Sequence, residues 1–224
     1  MVDLKNYLAE LIDLLKQNFE KRLLYVGLQG SYLRGEADEN SDIDVMVILD
    51  SLTIPDLELY QKIIKTTPGA KTCGFICGKA ELCCWNPCEI CQLLYTTKDH
   101  YGSLKDFVPP YTREDERNYI KISLNNLYHA LCHGFIHATS AENKETLPQH
   151  YKSVFFILQN IYFFQTGDFV PTQQELLVKL IGDDRQVLQK ALVIKKQKDV
   201  DFTADFAILF NWCKNKIPEV AEMR

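Results

Sequence analysis

The stretch Gly30-Ser31-Tyr32-Leu33-Arg34-Gly35-Glu36-Ala37-Asp38-Glu39-Asn40-Ser41-Asp42-Ile43-Asp44-Val45-Met46-Val47 holds the residue types best suited to chemistry. Its skeleton is Gly-Ser, ten residues, then Asp-x-Asp at the head of an apolar run. Gly30 lets the backbone turn tightly and lets a ligand come close to it. Ser31, at a helix start, offers its hydroxyl and neighbouring N–H groups to an anion that the helix dipole also favours, so a phosphate suits this turn. On a strand, Asp42 and Asp44 project from one face while Ile43, Val45 and Val47 line the other. Two acids side by side against an apolar sheet repel unless a cation neutralises them. Their hard oxygens suit Mg²⁺ bridging carboxylates and substrate phosphates. Phosphate turn and acid pair together read as a nucleotide–metal site, with Gly30 and Ser31 on the phosphates and Asp42 and Asp44 as metal ligands.

The elements that must position these residues follow from periodicity. Leu4, Leu8, Leu11, Ile12, Leu15 and Phe19 recur at helical spacing and predict a helix over 3–21. The apolar run 23–28 reads as a buried strand entering the Gly-Ser turn, and 43–49 as a second strand. Pro55 opens a helix that stops before Pro68-Gly69. Residues 73–77 and 90–96 are the next strand candidates. Beyond Pro109-Pro110 helical periods take over, near 113–139, 148–166, 172–181, 184–197 and 201–216. Strands and helices followed by helices alone predict an α+β chain, with a mixed sheet flanked by helices in 1–110 and an all-α bundle in 111–224.

Gly-Ser followed by Asp-x-Asp at this spacing resembles the signature of the nucleotidyltransferase superfamily, the DNA polymerase β-like fold. The surrounding Ser31-Tyr-x-Arg34-Gly35-Glu-Ala and Ser41-Asp42-Ile-Asp44 resemble its bacterial branch of minimal nucleotidyltransferases and antibiotic adenylyltransferases, which often appends a helical domain. The resemblance implies transfer of a nucleoside monophosphate, AMP from ATP, to a hydroxyl of a small molecule or protein, with two Mg²⁺ ions and release of pyrophosphate. It also implies a third acid on a neighbouring strand. Glu89, at the head of the expected strand 90–96, is the first candidate and Glu81 the second, while Gln92 inside that strand could not serve as a base. Arg34 has two roles open to it, on the triphosphate or as a counter-charge to Glu36, Asp38 and Glu39. The alternative is a weakly active or inactive nucleotide-binding or partner-binding module of antitoxin type.

Charge narrows the partners. The net charge of −5 lies entirely in the first 110 residues, with 11 basic and 16 acidic side chains there. That disfavours a long nucleic acid, whose phosphates call for a basic surface, and leaves a cationic acceptor open. A second copy or another protein remains open as partner. No segment reads as a signal peptide or membrane span, so a cytoplasmic location is expected, with the eight cysteines as thiols. Cys73, Cys77, Cys83, Cys84, Cys88 and Cys91 contain only half of a zinc-ribbon pattern and are read as ordinary thiols. His129, His133 and His137 form a stripe on one helix, open to a metal, to the substrate cleft or simply to solvent. Phe155, Phe156, Tyr162, Phe163 and Phe164, without interleaved basic residues, read as core.

Overall fold

The computed structural model describes residues 3–67, 71–196 and 201–223, and the chain divides into two compact units at Tyr111/Thr112. The first unit opens with α1 (Leu4–Phe19), whose N-terminus is capped by Asp3 accepting from the Asn6 N–H at 3.2 Å. Its buried stripe of Tyr7, Leu8, Leu11, Leu15 and Phe19 has the three- and four-residue spacing of an amphipathic helix. Then follow β1 (Leu23–Leu28), the short α2 (Gly30–Arg34), β2 (Ile43–Leu49), α3 (Ile54–Thr66) and β3 (Thr72–Gly78). The Pro68-Gly69 turn expected after α3 lies outside the described residues. α4 (Lys79–Cys83), α5 (Pro87–Tyr95) and β4 (Lys98–Tyr101) complete the unit.

The strands form one sheet in the order β3-β2-β1-β4. β1 runs antiparallel to both β2 and β4, whereas β2 and β3 are parallel and joined through α3. One face carries Val26, Leu28, Ile43, Val45, Val47 and Leu49 against α1 and α3. The other carries Tyr25, Met46, Ile48 and Cys77, covered by Leu82 and Leu104 and by the half-buried Leu93, Leu94 and Trp85.

The strand expected over 90–96 is instead α5. Asn86 caps it by accepting the Cys88 N–H at 3.1 Å and Pro87 occupies its first turn, a strong helix start. Cys88 and Cys91 three apart, and Ile90 and Leu94 four apart, then pack inward at helical spacing. The real fourth strand is the short, polar β4, which carries little hydrophobic signal.

The second unit contains α6 (Arg113–His137), α7 (Ser140–Thr166), α8 (Gln173–Lys179), α9 (Gly182–Lys196) and α10 (Phe202–Glu222). Its core runs from Ile120 and Leu124 through Tyr151, Phe155, Leu158 and Phe164 to Leu209 and Trp212. α7 starts eight residues before the expected 148, because Thr139 and Glu142 form a capping box and the helix carries Pro148 in its interior. α10 likewise continues past Pro218. The helix expected to reach 197 is seen to Lys196, and residue 197 lies outside the described residues.

Far from the acid pair, Arg22 fastens the sheet. Its guanidinium donates to both carboxylate oxygens of Asp56 at 2.7 and 2.9 Å, to Asp50 at 3.1 Å and to the Ser51 carbonyl at 3.0 Å. Asp56 also accepts from the Thr53 N–H and hydroxyl at the start of α3. These donors, Arg22 foremost, hold its carboxyl well below the usual range. A folded-state pKa below the unfolded one stabilises the fold above the ordinary Asp range, and that stabilisation is lost as pH falls below about 4. Asp56→Asn is therefore expected to lower the melting temperature at neutral pH. It should also flatten the fall in melting temperature between about pH 5 and pH 2, measured by circular dichroism melts.

Candidate nucleotide site

The end of β1 and the start of β2 are tied where the Gln29 N–H donates to the Asp44 carbonyl at 2.8 Å. The next residue, Gly30, has φ +70° and lies so close to Asp44 that a Cβ there would collide with its Oδ2. Only glycine meets both demands. α2 begins at this point, with Ser31 in its first turn, where N–H groups have no intrahelical acceptor. Gly35 ends α2 in the left-handed conformation. The Gly30-Ser31 turn and the acid pair are thus brought together by the Gln29–Asp44 backbone bond and the close approach of Gly30 to the Asp44 side chain.

Asp42 is exposed just ahead of β2, and Asp44 is half-buried within it. Burial is the main cause that pushes the Asp44 carboxyl above its ordinary range. The Asp42 charge adds to this, while the Arg34 charge and a hydrogen bond from the Cys73 thiol oppose it. Around the pair the other acids are already engaged. Arg34 Nε donates to Glu36 at 2.9 Å, with both side chains largely covered. Asp38 accepts from the Asn40 N–H and the Ser41 hydroxyl, closing its own loop. The ion pair with Glu36 provides the counter-charge expected of Arg34, whose charge also acts on Asp44.

The alternation of β2 puts Asp44 on the face of Met46 and Ile48, and three strands supply its neighbours there. Cys73 on β3 is its register partner. Gln29 follows β1 and donates through Nε2 to the Thr97 hydroxyl at 2.8 Å, just before β4. The strands beside β2 are β1 and β3, and neither Leu23–Leu28 nor Thr72–Gly78 contains a carboxylate.

Glu89, expected on the neighbouring strand, sits exposed in the first turn of α5 and accepts from the Trp85 indole N–H at 2.5 Å. Trp85 packs edge-on against Phe75 at 5.3 Å. Glu81 lies over Gly78, the partner of Leu49, about 17 Å along β2 from Asp44 at strand rise. Gln92 is within α5. Among the described residues, no three His, Cys, Asp or Glu side chains converge as a metal cluster. The donor set that is present, an acid pair with one member half-buried and raised by its neighbour, fits Mg²⁺ of the kind held by two carboxylates plus substrate phosphates. The position of Cys73 was open to sequence reasoning: a strand-helix-strand unit over 43–78 calls for parallel neighbours.

The cysteines divide by burial, with Cys77, Cys88 and Cys91 inside and Cys73, Cys83 and Cys84 exposed. Desolvation pushes the Cys77 thiol up to about 12, making it inert packing. Phe155 and Phe164 are core, in line with their reading.

Comparison with known proteins matches this geometry. Residues 8–69 fit the family described as nucleotidyltransferase domain. A candidate protein adenylyltransferase of Methanocaldococcus jannaschii is 36% identical over 62 residues, 28% of this chain and 57% of that protein, so the chain spans little more than half of this curated relative. The crystal structure of spectinomycin adenyltransferase from Enterococcus faecialis with ATP and spectinomycin superposes with a TM-score of 0.61 at 16% identity, over 96% of this chain and 99% of that one. A toxin–antitoxin complex with AMP-PNP aligns with a TM-score of 0.34 and 22% identity, over 57% of this chain and 93% of that one, too slight a likeness to bear on function. The first unit is an α+β domain with an acid pair beside a glycine turn. Within it, the segment 8–69 matches the nucleotidyltransferase domain family. No described helix is long and apolar enough to cross a membrane.

Gly30 and Gly35 offer a matched test, because both have positive φ but only Gly30 touches Asp44. Alanine at either position is expected to cost about 1–2 kcal/mol of stability through the backbone. Gly30→Ala should in addition abolish binding of an ATP analogue, whereas Gly35→Ala should leave it within about threefold of wild type, read by calorimetry alongside thermal melts.

Proposed function

We propose that the chain is a magnesium-dependent adenylyltransferase that moves AMP from ATP onto a hydroxyl of a small molecule or protein. The carrying observation is the contact of Gly30 with Asp44, which sets a helix start beside two carboxylates. Bound between Asp42, Asp44 and the nucleotide, Mg²⁺ would supply charge neutralisation and polarisation of the α-phosphate. The chain's own part is positional. The bare Gly30 backbone admits the phosphates, Ser31 and the first N–H groups of α2 donate to the β- and γ-oxygens, and Arg34, fastened to Glu36, tempers the charge on Asp44. The acceptor oxygen forms a bond to the α-phosphorus as the bond to pyrophosphate breaks, and the hydroxyl proton leaves to solvent or buffer.

Both kinds of acceptor have a parallel in the comparisons. The relative from Methanocaldococcus jannaschii is described as a candidate protein adenylyltransferase, and the protein whose fold spans both units is named for spectinomycin. The excess of acidic residues in the first unit favours a cationic small molecule.

One observation favours the second reading, a nucleotide-binding module with weak turnover. The strand neighbour of Asp44 is Cys73, and the resemblance calls for a carboxylate in that region. General-base assistance is worth about 10²–10⁴ in rate, so a site without it binds well and turns over slowly.

Binding of a non-hydrolysable ATP analogue with Mg²⁺ is expected in the wild type and absent in Asp42→Ala/Asp44→Ala, and equal binding in both would sink the proposal. Transfer of labelled AMP to a panel of hydroxyl compounds and proteins then separates enzyme from module. In that assay Cys73→Asp is expected to raise turnover at least about tenfold if the missing base limits the rate, and unchanged turnover would assign the slow step elsewhere.

A further inference from the structure

The nucleotide site leaves the second unit's histidine stripe without a role. His129, His133 and His137 are all exposed on α6, four residues apart. The ring centroids of His133 and His137 are 4.7 Å apart with planes at 49°, and those of His129 and His133 are 6.0 Å apart. A first-row metal bound about 2.0–2.1 Å from an imidazole nitrogen lies ~3.2 Å from the ring centroid, so two adjacent imidazole ligands have centroids roughly 4.5–5.2 Å apart. His133 and His137 already have that separation, and His129 stands outside it.

The turn that carries the pair is fixed. The largely buried Asn143 of α7 donates through Nδ2 to the carbonyls of Gly134 and Ala138 at 3.1 and 3.4 Å, hooking the end of α6 onto the next helix. Phe135 stacks on Phe206 of α10 at 4.9 Å. Little side-chain ordering beyond two χ angles per ring remains to oppose chelation. His137 is the last residue of α6, where the helix dipole favours positive charge.

We propose that His133 and His137 form a two-imidazole chelate at the C-terminus of α6 for a borderline first-row cation, Cu²⁺, Ni²⁺ or Zn²⁺, with water or an external ligand in the remaining positions. Imidazole nitrogen selects these ions over Mg²⁺, which prefers oxygen, so the site is chemically distinct from the acid pair in the first unit. Two protein ligands leave it open, as suits a loading or exchange site more than a closed structural one. A bound ion also staples the last two turns of α6 and stabilises the fold by mass action.

The probe is Ni²⁺, titrated calorimetrically into full-length protein whose exposed thiols have been alkylated with iodoacetamide, in excess Mg²⁺ to keep the acid pair occupied. One equivalent is expected to bind saturably, with a rise in melting temperature. His133→Gln or His137→Gln should weaken binding at least about tenfold and remove the thermal gain, while His129→Gln should change affinity by less than about threefold. All three positions are exposed, and unchanged circular dichroism confirms that each variant is folded. Absence of saturable binding, wild-type affinity in His133→Gln or His137→Gln, or an equal loss in His129→Gln would each overturn the assignment. None of these results depends on nucleotide transfer.

Discussion

The contact between Gly30 and Asp44 organises the first unit. It joins a turn to a charge. A side chain at position 30 would push the carboxylate away, and a non-glycine residue would resist the positive φ that lets α2 start there. With the Gln29 N–H bonded to the Asp44 carbonyl, the antiparallel pairing of β1 and β2 ends at this point, and helix start and acid pair become one rigid piece. The direction of Asp44 is then set by the opposite face. Ile43, Val45, Val47 and Leu49 are fully buried against α1 and α3, and a slip of one residue would bury both acids in that core. Arg22 secures the far end by gripping Asp56 and Asp50 at once.

Charge is handled unevenly along the acidic stretch. Glu36 has Arg34 and Asp38 has its own loop, so these acids are settled within the fold. Asp42 and Asp44 have mainly each other. Burial and mutual repulsion raise the Asp44 carboxyl, and the Arg34 charge and a thiol hydrogen bond soften the cost without removing it. A residual excess of negative charge on a rigid scaffold, beside a helix start, is what a cation–phosphate complex relieves. The net charge of −5 in the first half is thus partly a local property of this corner, and an argument from overall charge against nucleic acid does not extend to a nucleotide that brings its own cation.

The spacing Gly30-Ser31 to Asp42-x-Asp44 made the juxtaposition of turn and acid pair legible, because turn chemistry and strand alternation are local rules. The helices α1 and α6 were equally readable from their apolar stripes. What stayed hidden depends on tertiary partners. α5 and a buried strand share the same apolar composition over 90–95, and the deciding evidence, the Asn86-Pro87 start, is local but easily passed over beside so strong an apolar run. β4 is four residues long and polar, held by pairing with β1 more than by its side chains. The early start of α7 was obscured by Pro148, which a helix accepts when its own capping box begins two turns upstream.

The strand expected to carry a third acid depends on the same choice of element at 90–96. Taking 90–96 as a strand put Glu89 beside the acid pair, whereas the parallel partner of β2 is β3, reached through α3. The row around Asp44 is then Cys73, Gln29 and Thr97, polar but without a carboxylate on the adjacent strands. Such a row still serves binding: it provides hydrogen-bonding groups and leaves the acid pair for the cation. It serves proton abstraction poorly, since an amide cannot accept the proton usefully and the Cys73 thiol already donates to Asp44. Binding and activation of a nucleotide and deprotonation of an acceptor are therefore separable demands in this fold. On the proposed reading, Gly30, Ser31, Asp42 and Asp44 would meet the first, and the second would fall to the acceptor's own acidity or to a group that the acceptor brings into the site.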